Sequence, residues 1–141
     1  MAEPADLPAP VAPIFVFADD DREALEQLLA MLAADWFYIP VTRMNEVVKY
    51  AKEFATRAIF LSEPIDYPRG GAARLLQELL DQVGKPVVIL TEHWDPGVAR
   101  KWKAIGASDC LPHPTRTDQR LKVLRKKIEE FALRTLSESP R

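Results

Sequence analysis

Ile14-Phe15-Val16-Phe17-Ala18-Asp19-Asp20-Asp21 decides how the rest of this 141-residue chain reads. From Ile14 to Phe17 every position is apolar and β-prone, which marks a strand covered on both faces. The run stops abruptly at three aspartates, placed to cap a following helix and to favour its N-terminal dipole. Leu25, Leu28, Leu29 and Leu32 then recur at helical spacing. A doubly covered strand feeding an amphipathic helix opens a parallel β/α alternation.

The alternation continues. Trp36-Phe37-Tyr38-Ile39 predicts a second strand, and Thr42 is placed to cap a helix burying Val47, Val48, Ala51 and Phe54. Ala58-Ile59-Phe60-Leu61 predicts a third strand. After a loop with Pro64, Pro68, Gly70 and Gly71 comes a helix on Leu75, Leu76, Leu79, Leu80 and Val83, stopped by Gly84 and Pro86. Val87-Val88-Ile89-Leu90 is a fourth strand. Asp95-Pro96 pairs an N-cap with a proline at the first helical position, ahead of Val98, Trp102 and Ile105 as a buried face. Residues 107–111 predict a short fifth strand. Thr115 and Asp118 resemble a capping box, starting a last helix with Leu121, Leu124, Ile128 and Phe131 inward. The fold class is therefore α/β, a doubly wound five-stranded parallel sheet with five helices. One domain spans 14–136, between a Pro/Ala-rich disordered tail at 1–13 and a frayed end at 137–141.

The bulk numbers agree. The chain is 48% hydrophobic and 28% charged, enough apolar material for a core. A net charge of -2 disfavours general nucleic-acid binding, and no apolar run reaches the roughly 18 residues of a membrane span. The start lacks a secretory pattern, and Cys110 is the single cysteine, so no internal disulfide can form. A cytoplasmic protein is expected.

In such folds functional groups gather at the carboxyl ends of the strands. Here those ends carry Asp19 and Asp20; Ser62, Glu63 and Pro64; Thr91 and Glu92; and His113-Pro114. In order and placement these motifs resemble the receiver domain of two-component response regulators (CheY-like) over residues 14 to 134. The resemblance implies an acidic pair that holds Mg²⁺, a phosphoacceptor aspartate ending the third strand, a Thr or Ser ending the fourth, and Lys-Pro ending the fifth. It also implies a switch aromatic on the fifth strand, and an X-Pro bond that is cis at His113-Pro114.

The chain departs from that pattern at each chemical step. The acceptor aspartate is missing. Either Ser62 takes its place, with Gly70 eight residues on, or Glu63 does, with Gly71 eight residues on; the first register is favoured. A serine without a base is a poor nucleophile. A glutamate displaces the attacking oxygen by about 1 Å, enough to cost orders of magnitude in rate, although it could imitate a phosphorylated state. His113 replaces the lysine and supplies no fixed charge near pH 7. Cys110 replaces the switch aromatic, and Glu92 would repel a phosphoryl group. Asp19 and Asp20 are then left as weak Mg²⁺ ligands, with no cofactor required.

The expected function is a pseudo-receiver, not an enzyme, that meets a signalling protein partner without phosphorylation. The surface implied is the fourth helix, fifth strand and fifth helix, carrying Lys101, Trp102, Arg116, Arg120 and Lys122, with homodimerisation through the last two helices as a further use. The alternative is a residually active phosphoacceptor using Glu63 or Ser62. A small-ligand binder is disfavoured, because no glycine-rich phosphate loop is present.

Overall fold

The computed structural model describes residues 13–32, 36–114 and 118–138, with the side chains of the last helix described from 119 to 133. The elements are β1 (Ile14–Ala18), α1 (Arg22–Ala30), β2 (Phe37–Val41), α2 (Val47–Glu53), β3 (Thr56–Glu63), α3 (Gly71–Gln82), β4 (Val87–Thr91), α4 (Pro96–Ala104), β5 (Asp109–Pro112) and α5 (Asp118–Glu138). All five strands are parallel, in the order β2-β1-β3-β4-β5.

Side-chain parity along the strands divides the core in two. Phe15, Phe17, Phe60, Val88 and Leu90 face α1 and α5, against Leu25, Leu28, Leu121, Leu124, Ile128 and Phe131. Val16, Ile59, Leu61, Val87 and Ile89 face the other way, against Val47, Ala51, Leu75, Leu76 and Leu79 of α2 and α3. Phe17 stacks on Phe60 with ring centroids 4.7 Å apart, and Phe60 meets Phe131 edge-on at 6.3 Å. Covering both faces explains why the central strands are apolar throughout.

Several local expectations shift. β2 runs one to two residues later than expected; it is an edge strand, which lets it accommodate Pro40 without losing a ladder donor. Thr42 does not cap α2. A 3-10 turn at Met44–Glu46 intervenes, and neither it nor α2 has a side-chain cap. Phe54 is not in the core: it ends α2 in extended conformation, 39% exposed, and stacks on Tyr50. β5 starts at Asp109 and not Ala107, because the Ala107 N–H is taken by the Trp102 carbonyl at the end of α4. Asp21 and Asp95 cap α1 and α4 as expected, accepting from the Ala24 N–H at 3.1 Å and the Val98 N–H at 2.8 Å. The capping box at Thr115 lies outside the described residues, as do residues 1–12 and 139–141 of the two tails.

On α4 the expected buried face is not buried. Ala99 is buried in the core, Val98 and Trp102 are half-buried against it, and Ile105 is 41% exposed. The cis peptide bond among the described residues is Glu63–Pro64, not His113–Pro114. His113 instead continues the line of β5, its N–H donating to the Thr91 carbonyl at 2.8 Å.

Candidate functional site

The carboxyl ends of β1, β3, β4 and β5 enclose a cleft of about 330 Å³. It is lined by Asp19, Asp20, Asp21, Ser62, Glu63, Glu92, His93 and His113, with Ala24 and Pro64 at its edge. Parallel pairing aligns these ends: Ala18 pairs with Leu61, Ser62 with Leu90, and Glu63 with Thr91.

Asp19 lies deepest, 6% exposed just past β1, with its N–H on the Val41 carbonyl at 3.1 Å. Its carboxylate accepts from the Asp21 N–H at 2.9 Å and from the Ser62 hydroxyl, and its Oδ2 is 3.9 Å from His113 Nε2. Burial raises the Asp19 carboxyl above its usual range, against the pull of those partners. Burial likewise lowers His113, although the Asp19 and Glu92 carboxylates oppose it. The imidazole is therefore mostly neutral near pH 7.

Ser62 and Glu63 are neighbours on β3 with different attachments. Ser62 is buried against Asp19. Glu63 is half-buried and accepts the Thr91 hydroxyl at Oε1, 2.9 Å away. Thr91 Oγ1 in turn accepts the His93 N–H at 3.2 Å. Asp20 is exposed and accepts the Asp66 N–H at 2.7 Å, tying the loop after β3 to the end of β1. Among the described residues, no three of His, Cys, Asp and Glu are placed to share a metal ion. Asp19 and Asp20 have a hydroxyl where a third carboxylate would complete a Mg²⁺ site, and both already accept backbone N–H groups.

Cys110 is buried on the α3 side of β5, and burial, with the Asp109 and Glu63 carboxylates adding, pushes its thiol up to about 11. Its carbonyl accepts the Trp94 indole N–H at 2.7 Å, which holds the loop between β4 and α4 against β5. Nothing in the sequence flags that contact, since Trp94 beside His93 reads as loop surface.

The expected interaction residues separate in space. Lys101 and Trp102 line a groove against Ala73 of α3, on the far side of α4 from α5. Arg120 is half-buried and donates to the His113 carbonyl at 3.1 Å, while Lys122 is exposed on α5. Arg116 lies outside the described residues. Between α4 and α5, Asp109 meets Lys127 at 2.8 Å and Lys103 at 3.6 Å. Burial works to raise the Asp109 carboxyl, but the bond from Lys127 and the Cys110 N–H, with both lysine charges, leave it below its usual range.

No protein-family model matches the chain, and no curated protein matches it. Solved structures do match. The receiver domain of Francisella response regulator 1452 superposes with a TM-score of 0.73 at 18% identity, over 87% of this chain and 98% of that one. A response-regulator receiver domain from Clostridium thermocellum gives 0.69 at 18%, over 88% and 97%. The signal receiver domain of a Luxo repressor protein from Vibrio parahaemolyticus gives 0.68 at 16%, over 92% and 100%. These likenesses are of fold, and with the strand order and the helices on both faces they give the conclusion that this chain has the flavodoxin/CheY-like fold.

Proposed function

We propose that the chain is a receiver-like module of two-component-type signalling that acts in the cytoplasm by binding a protein partner, without accepting a phosphoryl group. The carrying observation is the pair of side chains ending β3. Ser62, hydrogen-bonded to Asp19, holds the position facing the acidic pair, and Glu63 already accepts the Thr91 hydroxyl. A buried hydroxyl is a weak nucleophile compared with a carboxylate, and His113 offers no fixed charge to the developing phosphoryl oxygens. Glu92, at the mouth of the cleft, adds repulsion toward an incoming phosphate.

One observation favours the second reading, a residual phosphoacceptor. The Ser62 hydroxyl bonds a carboxylate whose proton affinity is raised, an arrangement able to take a proton from an attacking oxygen. The two readings part on one experiment: incubation with Mg²⁺ and acetyl phosphate, followed by intact mass. An unmodified mass is expected. A phosphoryl adduct mapping to Ser62, Glu63 or Asp66 would establish the second reading in place of the first.

A further inference from the structure

The apolar stripe of α4 is only partly covered: Val98 and Trp102 pack one side against the core and leave the other open. Val98, Trp102 and Ile105 fall at i, i+4 and i+7, the spacing of a helix face meant to be covered. Yet Val98 and Trp102 are half-buried and Ile105 is 41% exposed. With Ala73 and the stem of Lys101 they line an open, largely apolar groove of about 390 Å³ between α3 and α4. The groove is held in shape: the Gln77 side chain donates to the Ile105 carbonyl at 2.7 Å, and Trp94 pins the loop ahead of α4. A preformed apolar strip on a soluble domain marks a contact surface.

Its charge indicates what covers it. From Pro96 to Ile105 the helix carries Arg100, Lys101 and Lys103 and no acidic residue. Lys103 turns toward β5, to Asp109. Among the described residues, neither Arg100 nor Lys101 is ion-paired. The negative end of the helix dipole favours Lys101 in the last turn but does not neutralise it.

We propose that the α3–α4 groove docks an amphipathic acidic segment of a partner protein, its apolar anchors seated on Val98, Trp102 and Ile105 and its carboxylates facing Arg100 and Lys101. This is helix-in-groove recognition with electrostatic steering of the encounter. The proposal rests on the protein-binding reading above and places its contact on the α3 side of α4, away from α5.

The test is selection of displayed random peptides, roughly 15 residues or four helical turns long, on the full chain. An enriched peptide is then synthesised and titrated against Ile105→Ser, Lys101→Glu and, on the opposite face, Lys122→Glu. All three positions are exposed, so the variants keep the fold. Enriched sequences are expected to carry Asp and Glu around Leu, Phe or Trp at helical spacing. Affinity should fall about tenfold or more in Ile105→Ser and Lys101→Glu and stay unchanged in Lys122→Glu. Peptides lost in Lys122→Glu but kept in Ile105→Ser would overturn the groove while leaving a protein-binding module. An absence of enrichment, enrichment of basic peptides, or a sedimenting dimer abolished by Ile105→Ser would overturn the acidic partner. The same holds for binding to anionic vesicles that is lost in Lys101→Glu. A phosphoryl adduct in the mass experiment would instead fail the broader reading, independently of any peptide.

Discussion

The Thr91 hydroxyl donates to Glu63 Oε1 at 2.9 Å, so the side chain that ends β4 is engaged by a carboxylate from the strand beside it. The contact is partly buried and joins directly paired residues of β3 and β4. The Thr91 oxygen also holds the His93 N–H, so one hydroxyl couples the end of β3 to the loop that leads into α4.

Thr91→Val removes both bonds and leaves Glu63 and the His93 N–H to find other partners. A loss of about 1–2 kcal/mol of stability is expected in urea titration. Glu63→Gln keeps an acceptor for Thr91 but discards the charge. It should cost under about 1 kcal/mol, and it should weaken partner binding if the carboxylate imitates a phosphorylated state. Unchanged affinity would remove that idea.

Acid should destabilise the domain through His113. Its folded value lies below the ordinary one of about 6.5, so in that window the unfolded chain binds more protons. The stability from the neutral imidazole is therefore complete above pH of about 6.5 and is lost as pH falls toward the folded value. Denaturant midpoints for the wild type and His113→Gln should show this slope in the first and a reduced one in the second.

Asp19 has the opposite sign. A raised carboxyl means that the folded state holds the proton longer, so the buried charge costs stability at neutral pH and the cost fades on acidification. Asp19→Asn retains an acceptor for the Asp21 N–H and should raise the melting temperature at pH 7. A lowered melting temperature would mean that the charge is stabilising where it sits.

Gly106→Ala should be among the costly single-methyl changes. At φ of +117° the backbone is outside the range that L side chains favour, and a Cβ there would stand 2.3 Å from Leu80 Cδ1. The Leu80 tip can rotate aside, so backbone strain should dominate, at about 1–3 kcal/mol, read from chemical denaturation.

Cys110 should be unreactive in the folded protein. With its thiol pushed up to about 11 and its side chain in the core, little thiolate is present and none is accessible at pH 8. A disulfide-exchange reagent should label it only after denaturant is added. Rapid labelling of the native protein would show that β5 opens.

The inner strands were legible because they are covered on both faces. Ile14–Ala18, Ala58–Leu61 and Val87–Leu90 need no partner to be recognised, and parallel pairing then follows from the helices between them. Edge and junction segments were not. β2 tolerates a proline because one side of it is unpaired, and β5 begins late because the end of α4 claims Ala107. The acidic cleft was legible as a set of strand ends, but its internal bonds were not. Whether Ser62 or Glu63 meets Asp19 depends on a single residue of strand register, which periodicity cannot fix. The apolar stripe of α4 reads as core because its spacing is that of a buried face, and only the three-dimensional packing shows that the domain covers Val98 and Trp102 in part and leaves Ile105 open.

Among the described residues, Asp109 on β5 is the carboxylate that ties a lysine of α4 and a lysine of α5 together. A single carboxylate carries the longer contact to Lys103 and the shorter one to Lys127, while Lys127 is also held by Glu130 at 3.1 Å. The two sides are unequal. Drawing Lys103 away leaves the Lys127 contact in place, and α5 is held besides by Leu121, Leu124, Ile128 and Phe131 in the core. Rising ionic strength should therefore weaken the longer, more exposed Lys103 contact before the Lys127 one, while the apolar faces of both helices stay in place.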